Sequence, residues 1–223
     1  MHDSSVRHGY AIWARLYDED GNPLIALEGP YIEARLESIA GRRTLDLGCG
    51  TGRHTLALAK RNAYVVAVDF VPEMLDRARA KLAGYRVDWV RHALPSPLPF
   101  ATESFDLVVI GLVAEHIDDW ETAMNEASRT LRRRGRCLLS TLHPERTGAG
   151  DQARYIDTNS GERRSIHTVH RTIDAYLEIA AAAGLALVDQ RSLFVDQDLA
   201  ARLPRAVKYL GKPLGWVAEW IKD

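Results

Sequence analysis

The densest chemical signal in the chain is Asp46-Leu47-Gly48-Cys49-Gly50-Thr51-Gly52. Three alternating glycines let a backbone turn tightly and approach a ligand that a Cβ would push away. The segment falls between an apolar run ending at Leu47 and a helical stretch running to Lys60. A ligand held there also meets the free N–H groups of a helix start. Seventeen residues beyond Gly52, Asp69 closes the next apolar run. A carboxylate at that point can accept two hydrogen bonds from a ribose diol. The nicotinamide fingerprint Gly-x-Gly-x-x-Gly is not met, because Arg53 occupies the slot of its third glycine. Asp46, just ahead of the loop, suits an ammonium group, directly or through water, better than a phosphate.

Histidine supplies a base near neutral pH, since its ordinary pKa is about 6.5. His116 follows the apolar run 105–110, and His143 follows the run 135–142. Both fall at the sheet edge where open α/β sheets bind ligands, which makes them the candidate bases. His167 and His170 belong to a later, irregular stretch. Glu115 reads equally as a site acid or a solvated loop acid, Trp120 as core, and Cys49 as a small filler of the turn. The run Arg132-Arg133-Arg134-Gly135-Arg136 reads as a solvated helix end, where positive charge complements the dipole. Arg146, Arg154, Arg163, Arg164 and Arg171 suit an anionic or sugar-like ligand, or simply face solvent.

The elements that must position these groups follow from periodicity. Tyr10, Trp13 and Tyr17 lie at i, i+3, i+7, a helical stripe able to close over a ligand. Ile32, Leu36 and Ile39 predict a helix over 28–40, stopped by Gly41. Strands are expected at 44–47, 64–68, 86–91, 105–110 and 135–142. Helices are expected up to Lys60, from Pro72 through Leu82, and over 119–133. The Pro-rich stretch 94–99 must be loop. Past Leu142 the pattern predicts a hairpin over 153–170 around Asn159-Ser160-Gly161. After it come a helix capped by Thr172 and ended by Gly184, a strand over 185–195, a helix over 198–210 and a last strand over 215–222. Alternating strands and helices predict an α/β domain with a mostly parallel sheet covered on both faces, and the ending is compatible with an antiparallel edge strand.

The Asp46–Gly52 loop, Asp69, and Leu98-Pro99-Phe100 leading into Ser104-Phe105-Asp106-Leu107-Val108-Val109 occur in the order found in one family. In these features the chain resembles class I S-adenosylmethionine-dependent methyltransferases, in the small-molecule or menaquinone-type branch. The resemblance implies a Rossmann-like, mostly parallel seven-stranded sheet with helices on both faces and an antiparallel last strand. It also implies S-adenosylmethionine as cofactor and S-adenosylhomocysteine as product. The residues it assigns to the cofactor are Tyr17, Asp46, Gly48, Gly50, Gly52, Asp69, Phe70, Ala93, Leu94 and Gly111. One departure is clear: Arg91-His92-Ala93-Leu94 lacks the acid that relatives often direct at the adenine amino group. Backbone groups and packing against Leu94 and Phe70 are then left to hold the adenine.

The remaining expectations are coarse. With 223 residues, one domain is expected over 1–223: a helical lid 1–40, a cofactor core 41–142, a hairpin insertion 143–171 and a completing segment 172–223. Twenty-nine Lys+Arg balance thirty Asp+Glu, which disfavours nucleic-acid or membrane partners held by bulk charge. Met1-His2-Asp3-Ser4-Ser5 has no leader character, no long apolar run exists, and two cysteines make neither a disulfide framework nor a structural zinc site. A cytoplasmic protein is therefore expected, methylating a small molecule, more plausibly at oxygen than at a ring nitrogen, with His116 or His143 as base and no metal. The alternatives are a non-catalytic module that binds the same cofactor and a nicotinamide-dependent oxidoreductase. The sequence names neither the acceptor nor an oligomeric state.

Overall fold

The computed structural model describes residues 2–158 and 160–223, without the side chains of residues 2–4. Met1, at the head of the segment read for a leader, and Asn159, in the expected turn, lie outside the described residues. The chain runs α1 (His2–Trp13), α2 (Pro23–Ala34), β1 (Arg43–Leu47), α3 (Arg53–Lys60), β2 (Tyr64–Asp69), α4 (Pro72–Lys81) and β3 (Val87–Arg91). It continues through β4 (Phe105–Gly111), α5 (Trp120–Thr130), β5 (Leu131–Leu142), α6 (Pro144–Gly148), β6 (Arg154–Ile156) and β7 (Arg163–Ser165). It ends with α7 (Ile173–Ala182), β8 (Leu185–Phe194), α8 (Gln197–Arg202) and β9 (Pro213–Lys222).

Seven strands form one sheet in the order β3-β2-β1-β4-β5-β9-β8, and β6 and β7 form a separate hairpin. The pairs from β3 to β5 are parallel, whereas β9 runs antiparallel to both β5 and β8. The antiparallel strand is therefore not the edge that the ending of the sequence suggested. It lies inside the sheet, and β8 forms the edge. Continuous apolar strands fit this position, because helices cover both faces. On one face Val108, Ile110, Leu139, Trp216 and Trp220 pack against α5 and α7 through residues such as Met124 and Tyr176. On the other, Leu107, Val109, Leu138 and Val217 meet Ile32 of α2 and Leu58 of α3. The alternation of 107/109 with 108/110 is the two-residue period of a strand.

The chain starts the sheet at β1, builds outward to β3, then returns to place β4 on the other side of β1. The loops leaving β1 and β4 consequently diverge, which opens a crevice at the carboxyl ends of the strands. That crevice receives both the glycine loop and the segment carrying His116.

Several expected boundaries move. Helix α2 begins at Pro23, where Asn22 accepts a hydrogen bond from the Leu24 N–H at 3.0 Å, and ends at Ala34. It is core rather than lid, with Ile32 fully buried. Tyr17 lies beyond the end of α1 but still packs on Trp13, 4.9 Å between ring centroids. The basic run is not a helix end: α5 stops at Thr130, and β5 begins at Leu131. Arg132 ion-pairs with Asp106 and Arg136 with Glu219, so strand pairing, not a helix dipole, accounts for these charges. The expected helix over 198–210 breaks at Leu203, before Pro204. Among the described residues no helix is long and apolar enough to cross a membrane.

Candidate active site

The crevice between β1 and β4 is a cleft of about 930 Å³. Its floor is the loop Gly48-Cys49-Gly50-Thr51, and one wall is Asp69, Phe70 and Met74. The opposite wall is Gly111, Leu112, Val113 and His116, and Tyr10 and Tyr17 close it from above. Gly48 has φ +80°, and a Cβ added there would run into the Val113 side chain. The turn therefore needs glycine for both conformation and space.

Asp69 ends β2 against this loop. Its Oδ2 accepts from the Gly50 N–H at 2.8 Å and its Oδ1 from the Val71 N–H at 2.9 Å. Each oxygen keeps a further lone pair. Burial pushes the carboxyl up to about 6, against the lowering effect of the Val71 and Gly50 amides. At the other end of the cleft, Arg53 opens α3 and ion-pairs with Glu28, a fully buried carboxylate on α2. His54 Nε2 lies 3.5 Å from the same carboxylate. Burial works to raise Glu28, but His54 and Arg53 outweigh it and hold the group below the usual carboxylate range.

A second cavity of about 890 Å³ adjoins the first. Tyr10, Tyr17, Leu112 and His116 line both and form the seam between them. His116 Nδ1 lies 2.7 Å from the carbonyl oxygen of His167, which can only accept, so Nδ1 carries the proton. In the neutral ring Nε2 is then the acceptor, and the Tyr10 hydroxyl donates to it at 2.8 Å. Burial pushes the Tyr10 hydroxyl well above its usual range, which keeps it a donor. Glu115 is a buried carboxylate, not a solvated one: it accepts from the Thr141 hydroxyl at 2.9 Å and from the Leu142 N–H at 3.3 Å.

Of the residues named from sequence, Tyr17, Gly48, Gly50, Asp69, Phe70, Leu94, Gly111 and His116 line the first cleft. Asp46, Gly52, Ala93 and His143 do not, and each has a structural reason. Asp46 alternates with Leu45 and Leu47, so it points to the α3 side of the sheet, where it accepts from the Thr55 hydroxyl at 2.6 Å. Burial raises its carboxyl above the usual range. Gly52 starts α3 with φ +81° and packs on α4, where an added Cβ would come within 3.0 Å of Ala78. Ala93 sits between His92 and Leu94, both of which turn into the cleft. His143 lines neither cavity: its Nδ1 accepts from the Glu145 N–H at 3.2 Å and its Nε2 meets the Ser192 hydroxyl at 3.0 Å. Burial lowers the pKa of this ring, which works as a neutral cap of α6.

Sequence reasoning missed Arg53, His54 and His92 as cleft residues. Arg53 was visible only as a break in another fingerprint, although a basic residue directly after a glycine loop is itself a signal. Cys49 is buried, and burial pushes its thiol well above the usual range, in keeping with a filler of the turn.

Residues 45–139 match the family described as "Methyltransferase domain". That span runs from β1 to β5 and contains the glycine loop, Asp69 and His116. Over that span the chain is similar to a methyltransferase domain. The chain is 34% identical over 150 residues to a ubiquinone biosynthesis O-methyltransferase of Xanthomonas oryzae pv. oryzae, over 64% of this chain and 62% of that protein. It is 41% identical over 102 residues to a demethylmenaquinone methyltransferase of Clavibacter sepedonicus, over 45% of this chain and 41% of that one. The chain thus spans less than two thirds of the length of either relative. A solved S-adenosylmethionine-dependent methyltransferase from Mesorhizobium loti superimposes with a TM-score of 0.74 at 23% identity, over 87% of this chain and 97% of that one. At that identity the likeness shows the fold alone.

Proposed function

We propose that this chain is an S-adenosylmethionine-dependent methyltransferase that methylates an oxygen of a small-molecule acceptor, with His116 as the proton acceptor. The residues of the cleft fit the cofactor. Asp69 offers free lone pairs for a ribose diol, and the glycine loop leaves a space that a Cβ at Gly48 would fill. Arg53 offers a guanidinium for the methionine carboxylate, and Phe70, Leu94 and His92 offer packing for the adenine. Arg53 in the third-glycine slot continues to disfavour a nicotinamide cofactor. When bound, S-adenosylmethionine supplies an electrophilic methyl group and leaves as a neutral thioether.

The protein's own part is to align the acceptor, exclude water and take a proton. The observation that carries the reading is the position of His116 on the seam of two adjoining cavities, with Nε2 free of its own proton. An acceptor hydroxyl reaches that nitrogen by displacing the Tyr10 hydroxyl, or passes its proton through it. Tyr10, Trp13 and Tyr17 then cover the site, and the hairpin β6–β7 closes the second cavity through Arg154 and Arg163. A second, acceptor-sized cavity beside the cofactor cleft favours turnover over a module that merely binds the cofactor. The O-methyltransferase named in Xanthomonas makes oxygen the closer precedent, and the balanced charge of the chain supports a small molecule over nucleic acid.

The test is methyl transfer to a panel of small hydroxyl-bearing acceptors by wild type, His116→Ala and His143→Ala. His116→Ala should lower the rate by about 10²–10⁴-fold while S-adenosylhomocysteine affinity stays within about twofold, and His143→Ala should spare the rate. Full activity in His116→Ala would remove the base assignment.

A further inference from the structure

We infer that Glu28 is a positioning residue of the cofactor cleft: from behind its wall, it holds the Arg53 guanidinium ready for the amino-acid end of the cofactor. This inference rests on the methyltransferase reading and adds to it a residue that touches no ligand.

Glu28 sits on α2, fully buried, and lines neither cavity. Its ion-pair partner Arg53 opens α3, lines the cleft and keeps 29% of its side chain exposed. A carboxylate on one element thus fixes a guanidinium on another. Glu28 engages Nη1 of Arg53, which leaves the Nη2 and Nε donors for a ligand. His54, the next residue of α3, also lines the cleft, with its Nε2 3.5 Å from the same carboxylate. The sheet makes room for that ring at Gly111 of β4, where an added Cβ would fall 2.5 Å from His54 Nε2. Gly111 has no positive φ, so space and not conformation requires the glycine there.

Stability alone is a poor account of this carboxylate. A buried ion pair loses the hydration of both charges, and apolar side chains in its place are often neutral or stabilising. What the pair does supply is a preset arginine. A long, free side chain must be ordered when its ligand binds, and ordering it beforehand removes that cost from the binding step. The planar fork of an arginine also has to meet a carboxylate at a defined angle, which a fixed partner on the other side imposes.

Positioning and simple charge balance predict opposite signs. Burial works to raise Glu28, but His54 and Arg53 hold it below the usual carboxylate range, so it is ionised at neutral pH. An anion that only neutralised Arg53 would weaken the hold on a ligand carboxylate, and its removal would tighten binding. An anion that aims Arg53 does the reverse, and its removal weakens binding.

Calorimetric titration with two ligands separates positioning from folding. S-adenosylhomocysteine carries the amino-acid end, whereas methylthioadenosine keeps the adenosine and the thioether and lacks that end. The proteins are wild type, Glu28→Gln, Arg53→Gln and the double variant, since Gln keeps the shape of Glu28 without its charge. Glu28→Gln should lose about tenfold in S-adenosylhomocysteine affinity and stay within about twofold of wild type for methylthioadenosine, which reports an intact cleft. In the Arg53→Gln background the Glu28→Gln change should add nothing, because the two residues act as one unit. If Glu28→Gln does not fold, Glu28→Asp, which withdraws the carboxylate by one methylene, is read by the same split. Unchanged or tighter S-adenosylhomocysteine binding in the Glu28 variant, equal losses for both ligands, or losses that add in the double variant would overturn the inference and leave the methyltransferase reading standing. Failure of wild type to bind S-adenosylhomocysteine would overturn both.

Discussion

Asp69 and His116 show how burial decides what a side chain can do here. Burial raises Asp69 to about 6, well above the ordinary value near 3.9 of an exposed aspartate. The folded protein therefore binds a proton between those values that the unfolded chain does not. This group adds stability below its unfolded value, and the contribution is lost as pH rises through the folded one. Ligand affinity runs the other way, because only the carboxylate accepts both hydrogen bonds of a diol. S-adenosylhomocysteine affinity should be flat above pH 7 and fall as pH drops through 6, by up to about tenfold per unit. Calorimetric titrations across pH 5–8 check this, and in Asp69→Asn the slope should disappear. His116 and His143 were equivalent candidates in the sequence because both follow a strand. They part only in three dimensions. His116 meets the Tyr10 hydroxyl on the cavity seam, whereas His143 spends its ring nitrogens on Glu145 N–H and Ser192.

At the scale of elements, the glycine loop is the most constrained turn of the site. Gly48→Ala places a Cβ at φ +80° and against Val113. The left-handed conformation alone costs about 1–2 kcal/mol, and Val113 must move out of the cleft wall. The variant should lose stability in thermal melts and lose at least tenfold in S-adenosylhomocysteine affinity; wild-type affinity would show that the loop tolerates bulk. The glycine loop, Asp69 and the strands of the parallel core were legible in the sequence because each rests on local pattern: continuous apolar runs, alternating glycines, an acid at a strand end. The boundaries that moved depend on partners distant in sequence. Strand β5 starts early because Leu131 pairs with Phe105 and Arg136 with Leu107, with an irregularity between. Ile32, Leu36 and Ile39, spaced in the sequence as one helix face, all bury against the sheet, although α2 ends at Ala34 between them. Asp46 obeys the same rule: its alternation with Leu45 and Leu47 fixes its face, where the Thr55 hydroxyl donates to it.

At the scale of the whole molecule, the return of the chain from β3 to β4 makes the crevice, and β9 completes the sheet behind it. An ion network locks that completion to α2. Glu219 on β9 receives Arg35 Nε at 3.0 Å and Arg136 Nε at 2.7 Å, and Arg35 also pairs with Asp189 on β8. Glu219→Ala strands two partly buried guanidinium groups and should cost about 2 kcal/mol, below the range for a fully buried broken pair because both arginines are partly solvated. Thermal denaturation checks the loss, and S-adenosylhomocysteine affinity should be preserved, since the network lies outside the cleft. In the proposed function, the crevice at the switch of strand order is a cofactor site built on Asp69. The most direct measurement is calorimetric titration of wild type and Asp69→Ala with S-adenosylhomocysteine, with NADH as control. Saturable binding of S-adenosylhomocysteine alone, weakened by about tenfold or more in Asp69→Ala, is the predicted result. Saturation by NADH, no binding of S-adenosylhomocysteine, or equal affinity in the two proteins would contradict it.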